Sequence, residues 1–230
     1  AYSLAEIKQA DSGTLLLPAL EGAQGFVLAS LLHAIKELRL PGSLNAALRA
    51  TSDRDAPVRL AAVGVLGWLK QLDALPALAR LASADPDTEV RRAATGALGL
   101  ASDLVVLPAL QAALRDSEWQ VREEAATTLG KVGLSEAGPA LIDALQDSYW
   151  QVRLRAARSL GKLRFVDALD GLVTLLGHSI SNLRKEAALA LGELADSAAI
   201  APLQAAEQDS DPEVRKAVRI ALSQLQKAVG

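Results

Sequence analysis

The sequence predicts an all-α fold, an α-solenoid of about seven antiparallel helical hairpins. Three observations predict it. Alanine and leucine, both strong helix formers, fill more than a third of the 230 residues. The dipeptide Val-Arg, once Leu-Arg, recurs at Arg59, Arg91, Arg122, Arg153, Arg184 and Arg215, with one gap of 32 residues and then four of 31. Eight residues after each arginine stand Gly67, Gly99, Gly130, Gly161 and Gly192, with Ser223 in the last unit, and a leucine precedes each of them. Self-similarity at a period of about 20 to 50 residues is the signature of stacked supersecondary units. Such a stack, each hairpin touching only its neighbours, is expected to form one domain over residues 1–230, coiled as a right-handed superhelix.

The elements follow in chain order. Residues 14–42, with TLLLPALEGAQGFVLASLLHAIKEL, fit a degenerate N-terminal cap hairpin that lacks the repeat's marks. Residues 43–197 hold the marked repeats. In each, a first helix such as Leu107–Asp116 carries Leu and Ala at helical spacing. A turn rich in Asp, Ser, Pro and Glu follows, because such residues satisfy the orphan amides of a helix start. The second helix then buries an i, i+4, i+8 stripe: Val58/Ala62/Leu66, Val90/Ala94/Leu98, Val121/Ala125/Leu129, Val152/Ala156/Leu160 and Leu183/Ala187/Leu191. Residues 198–230 form the C-terminal cap repeat, with Val214/Val218/Leu222 as its stripe.

Two marks call for a reason. Glycine inside a helix costs about 1 kcal/mol relative to alanine, so its return in register predicts close backbone approach between hairpins or a local bend. Six residues before each arginine stands an aspartate: Asp53, Asp85, Asp116, Asp147 and Asp209. A guanidinium fork one turn into the second helix can grip the carboxylate of its own or the adjacent unit, giving a structural ladder. His178 replaces the aspartate once, which reads as drift, as a softer joint, or as a place where a partner completes the missing contact.

Composition narrows the chemistry. There is no cysteine, so disulfides, thiolate metal sites and cysteine nucleophiles are excluded. Only His33 and His178 could supply imidazole, and no nucleotide-binding, zinc-protease or serine-hydrolase motif occurs. No catalytic residue, metal site or cofactor is therefore expected. The net charge of −3 disfavours a nucleic-acid binder working by bulk charge. No apolar run is long enough to span a membrane, and residues 1–14 do not read as a secretory signal, so a cytoplasmic, monomeric protein is expected.

The turn Asp, the Val-Arg, the paired alanines and the Leu-Gly, as in DSEWQVREEAATTLG from Asp116 to Gly130, resemble HEAT repeats. The resemblance is closest to the short HEAT-like units named after phycobilisome lyases, and it covers about residues 44–227. Deoxyhypusine hydroxylases, a related group, hold iron on His-Glu pairs near the start of second helices. Here Glu123 and Lys185 occupy the histidine position, so the resemblance does not extend to that metal.

In a HEAT-like solenoid the faces opposite the buried stripes line a concave groove. The unit of Arg122 offers Trp119, Gln120, Glu123, Glu124, Thr127 and Lys131; the next offers Trp150, Gln151, Leu154, Arg155, Arg158 and Lys162. The unit of Arg59 supplies Leu60, Gly64 and Trp68, and the unit of Arg184 supplies Asn182, Lys185, Glu186 and Glu193. Trp119 and Trp150 share a register one repeat apart, on the order of 10 Å, with Tyr149 beside the second. Each indole either covers its own hairpin end or anchors a partner, since Trp, Tyr and Arg dominate interfaces. Glu123 and Glu124 beside Arg155, Arg158 and Lys162 suit a protein of alternating charge better than a nucleic acid. The expectation is a non-enzymatic scaffold that binds another protein through this groove. The alternative, implied by the resemblance, is a phycobilin lyase or lyase subunit, for which aromatic walls and cations would hold a bilin and its propionates.

Overall fold

The computed structural model describes residues 15–36, 38 and 40–229. Thr14, Glu37 and Arg39, assigned above to the N-terminal hairpin, lie outside the described residues, as do residues 1–13. Among the described residues there are fourteen α-helices and no strand. They come in pairs: α1 (Ala19–Gly22) with α2 (Gly25–Lys36), α3 (Leu44–Ala50) with α4 (Ala56–Leu69), and α5 (Leu75–Ala84) with α6 (Thr88–Ala97). Then follow α7 (Leu107–Ala113) and α8 (Trp119–Val132), α9 (Gly138–Ala144) and α10 (Trp150–Leu163), α11 (Leu169–Leu176) and α12 (Ser181–Leu194), and α13 (Ile200–Ala205) and α14 (Pro212–Val229). This is an all-α solenoid with the expected number of hairpin elements.

The described residues pack as two compact units, with the break between Ala113 and Leu114. The gap from Arg91 to Arg122, which spans that break in sequence, is 31 residues, the same as every gap within unit 2. In unit 1 the second helices α2, α4 and α6 lie side by side, and α3 and α5 pack on their own partners. In unit 2 the row is α8, α10, α12 and α14, backed by α9, α11 and α13.

Local chemistry sets the helix boundaries. Each turn Asp accepts the amide of the residue two places on: Asp53 from Asp55, Asp85 from Asp87, Asp116 from Glu118, Asp147 from Tyr149 and Asp209 from Asp211, all at 2.8–2.9 Å. That bend aims the chain into the second helix. First helices α3, α5, α7, α9, α11 and α13 open on a 3₁₀ turn, and α5 and α9 then place Pro76 and Pro139 at the start, where a missing amide costs nothing. Second helices α4, α8, α10 and α12 stop on a left-handed residue: Lys70, Gly133, Arg164 and Ala195, with φ of 53°, 79°, 51° and 57°. Only one of the four is the glycine that this conformation favours. Helix α6 is shorter, because it tightens into a 3₁₀ turn at Leu98–Leu100.

The five predicted stripes of the marked repeats are buried to within 1%. In α14 the buried set is Val214, Ala217, Val218, Ala221 and Leu225, while Leu222 is half-buried, one step beside the stripe. The recurrent glycines are where successive second helices touch. A Cβ on Gly161 would stand 2.8 Å from the Ala190 Cα, and one on Gly192 would stand 2.7 Å from the Ala221 Cα. On Gly130 it would collide with Ser159, whose hydroxyl donates to the Ala126 carbonyl at 2.7 Å. Close backbone approach, one of the two readings of these glycines, is the one the packing supports.

The ladder is an inter-repeat device. Arg59 donates from Nε and Nη2 to both oxygens of Asp85 at 2.7 Å, so the carboxylate belongs to the following repeat. Arg122 grips Asp147 at 2.7 and 3.0 Å, and Arg184 grips Asp209 at 2.7 and 2.8 Å. Meanwhile Nη1 donates back to two carbonyls of the arginine's own turn, as from Arg122 to Asp116 and Ser117 at 2.8 and 3.0 Å. Arg91 and Arg215 make the same backward pair. With Arg59 and Asp85 side chains only 9% and 2% exposed, that rung is a fully desolvated, doubly hydrogen-bonded pair.

Arg153 differs. The position of its forward aspartate is held by His178, whose Nδ1 accepts the Ile180 amide at 3.0 Å and so takes over the aspartate's role in the turn. The imidazole holds the bend but offers no carboxylate, and Arg153 Nε is buried without a hydrogen-bond partner. The same pair of repeats is tied elsewhere: Arg158 donates to both oxygens of Glu186 at 2.7 Å.

Candidate functional site

The part of the groove centred on Trp119 and Trp150, with Tyr149, Glu123, Glu124, Arg155, Arg158 and Lys162, lies in unit 2, on α8, α10 and the turn between α9 and α10. Trp119 opens α8, and its ring stacks on Tyr149, with centroids 5.5 Å apart and planes 14° off parallel. The Arg122 guanidinium lies 5.6 Å from the same tyrosine ring while gripping Asp147. Trp119 and Tyr149 thus flank a ladder rung, and the stack joins one repeat's indole to the next repeat's phenol. Trp150 opens α10 and is half-buried, whereas Tyr149 stays 45% exposed. Gln120 and Gln151, expected on the outer face, turn their Oε1 atoms into buried positions without a hydrogen-bond partner.

The charges of this face meet across repeats. Arg155 donates to Glu123 at 2.9 Å, and Arg158 to Glu186, whose side chain is 7% exposed against 44% for the arginine. Glu193 lies near this cluster. Burial and the Glu186 charge push its carboxyl above the ordinary carboxylate range, against the pull of Lys162, Arg158 and Arg164. Lys162 itself is exposed, and Glu124 is half-buried. The acidic and basic strips that look like a patterned surface in the sequence are therefore largely satisfied by each other.

Unit 1 carries what the sequence reading underweighted. A cavity of about 1100 Å³ lies over α2, α4 and α6. Phe26, Ala29, Ser30 and His33 from one face of α2 form one wall. Leu60, Gly64, Gly67 and Trp68 from α4 form the middle, and Ala93 and Ala97 from α6 the far side. Phe26 is 79% exposed and Leu60 38%. Leu60, Gly64 and Trp68 were legible as outward positions. The α2 half was not, because that hairpin lacks the Asp, Arg and Gly that fix the register.

Small residues make the hollow. A Cβ on Gly64 would sit 3.3 Å from the Lys36 Cδ, so the lysine stem lies across the trough floor. Among the described residues, the ionisable side chains lining the cavity are His33, Lys36 and Lys70, with no carboxylate. Among the described residues no group of three or more His, Asp or Glu could hold a metal, and no helix is long and apolar enough to cross a membrane.

No curated protein matches the chain in sequence. Similar solved structures include the Escherichia coli protein YibA, at 20% identity and TM-score 0.71, covering 94% of this chain and 82% of that one. An engineered protein matches at 22% identity and TM-score 0.63, covering 93% and 68%. The CpcE–CpcF complex of phycocyanin lyase from Nostoc sp. matches at 22% and 0.57, covering 93% and 94%. At these identities the likeness is one of fold. The model of HEAT repeats matches residues 13–99, 81–151 and 138–223, a span that includes every ladder arginine, and the chain belongs to the HEAT repeat family.

Proposed function

We propose that this protein is a non-enzymatic scaffold that binds another protein on the outer faces of its second helices. The observation that carries the reading is the apolar trough of unit 1. Phe26 is 79% exposed and Leu60 38% there, beside Trp68, in the hollow they wall. Exposed apolar surface gathered in one hollow is costly to keep and marks an interaction site. Unit 2 adds a more polar surface, with Tyr149, Arg158 and Lys162 exposed beside half-buried Trp150 and Arg155. A cytoplasmic, monomeric protein without a nucleic-acid role fits this reading.

The test is affinity capture with covalent cross-linking. A partner held by the parent protein should cross-link near the trough and be lost from a Leu60→Asp variant that keeps its helical circular dichroism. Equal capture by both would end the trough's role. Loss only from a Trp150→Ala/Arg155→Glu variant would move the site to unit 2.

A second reading, a bilin-handling lyase or lyase subunit, is favoured by the same trough. Phe26 and Trp68 supply aromatic walls, and Lys36 and Lys70 supply two cations for propionates. Visible absorbance retained on the protein after mixing with free bilin would support it, and a colourless protein would dismiss it.

A further inference from the structure

The trough's dimensions and charge narrow what fills it, on the footing that unit 1 is a protein-binding face. Its lining runs from Phe26 on α2 to Ala97 on α6, across three neighbouring helices. Along α2 the lining runs from Phe26 to Lys36, ten residues on, or about 15 Å at about 1.5 Å per residue. An occupant lying in this direction has room for about ten residues of α-helix.

The lining is sorted by chemistry along the helices. At the starts of α2 and α4 stand Phe26 and Pro57. Beside them, Asp55 is 3.7 Å from its own neighbour Arg54 and is thereby charge-compensated. At the helix ends stand His33, Lys36 and Lys70, with no acid among the described lining residues to oppose them. Lys36 is half-buried along the floor, and Lys70 is exposed at the left-handed end of α4. An occupant must therefore be apolar along its body and negative at one end.

We infer that the trough of unit 1 receives an amphipathic helix of a partner protein, its apolar side chains spaced i, i+3, i+4 and i+7 and its carboxylates set at the end that meets Lys36 and Lys70. A helix in a groove presents such anchors along one side. Glycine and alanine on the floor, at Gly64, Gly67, Ala61 and Ala93, leave room for them. The two lysines give the occupant a direction, since a helix lying the other way round would bring its acids to Phe26.

The experiment is selection from a displayed library of random peptides of about 14 residues. Binding of the enriched sequences is then measured on the parent protein, on Leu60→Asp and on Lys36→Glu/Lys70→Glu. Enriched peptides should share the helical apolar spacing with Asp or Glu at one end. Their affinity should fall at least tenfold in both variants, and circular dichroism should show the variants folded. Peptides lost from Leu60→Asp but carrying no acidic bias, or indifferent to the lysine reversal, would overturn the inferred chemistry while leaving the scaffold reading intact. Peptides bound equally by Leu60→Asp, or no enrichment at all, would overturn both. Binding of dodecanoate with no peptide enriched would make the occupant a small amphiphile and likewise end the inference.

Discussion

The two units use one framework to present opposite surfaces. In both, second helices lie side by side, and arginines grip the aspartate of the following repeat at 2.7–3.0 Å. Their outer faces differ. Unit 1 offers Phe26, Leu60 and Trp68 around a hollow floored with glycine and alanine. Unit 2 closes the corresponding surface with Glu123–Arg155 and Arg158–Glu186. It also draws its helices together until Gly161 and Gly192 meet the opposing backbone. Gly67 is looser, since a Cβ there would lie an ordinary 3.5 Å from the Ala97 Cβ. The repeat marks govern how hairpins join, while the positions between them decide whether a face is hollow and apolar or filled and paired.

The rungs carry the largest expected effects. Asp85→Ala should destabilise the protein by about 3–5 kcal/mol, because it leaves the Arg59 guanidinium buried and uncompensated. Asp147→Ala should cost less, its rung being slightly more open. Urea unfolding of both variants would rank the rungs of the two units, and equal losses would dissolve the distinction.

Acid addresses all the rungs together. Burial raises the carboxyls of Asp85 and Asp147, but hydrogen bonds and charge from Arg59 and Arg122 outweigh it, so both lie below the ordinary range. Asp209 lies low chiefly through its hydrogen bonds from Arg184. Since the folded values lie below the unfolded ones, near about 3.9, this stability is complete above that range. It is lost as pH falls through the folded values. Thermal melts from about pH 6 to pH 2 should show a steep acid limb, shallower in Asp85→Asn.

Backbone approach separates the units next. Gly192→Val should cost about 1–3 kcal/mol, because its side chain meets the Ala221 backbone. Gly67→Ala should be neutral or stabilising by up to about 1 kcal/mol, from helix propensity alone. Calorimetry on the two variants would test whether glycine is needed in unit 2 and dispensable in unit 1.

Two smaller changes should add stability. His178→Asp supplies the carboxylate that Arg153 lacks, for a gain of about 1–2 kcal/mol in chemical unfolding. Ala195→Gly relieves a left-handed alanine at the end of α12, for about 0.5–1 kcal/mol. No gain from the first would mean that Arg158–Glu186 already saturates that joint.

The framework was open to sequence reasoning because it repeats. Val58, Ala62, Leu66 and their equivalents name the core by periodicity, and Asp85 with Arg59 names the rung by register. What the register withholds is the stagger between hairpins. Glu123 and Arg155 are 32 residues apart, and Arg158 and Glu186 are 28 apart. Whether such residues meet depends on how far one helix slides along the next. Trp119 stacks on Tyr149, which no spacing rule announces, and Phe26 joins the trough from a hairpin without marks. Lys70, Arg164 and Ala195 end helices where glycine would be expected, so local propensity gave no warning there either.

The forward reach of the rungs gives the chain an order of completion. Arg59, Arg122 and Arg184 each hold their own turn through backbone carbonyls, yet each takes its carboxylate from residues 25 or 26 positions later. A polypeptide is made from its N-terminus, and domains fold in that order during synthesis. At these three joints the residues of the splint are therefore made before the carboxylate that completes the rung, and the rung can close only once the following repeat has been added.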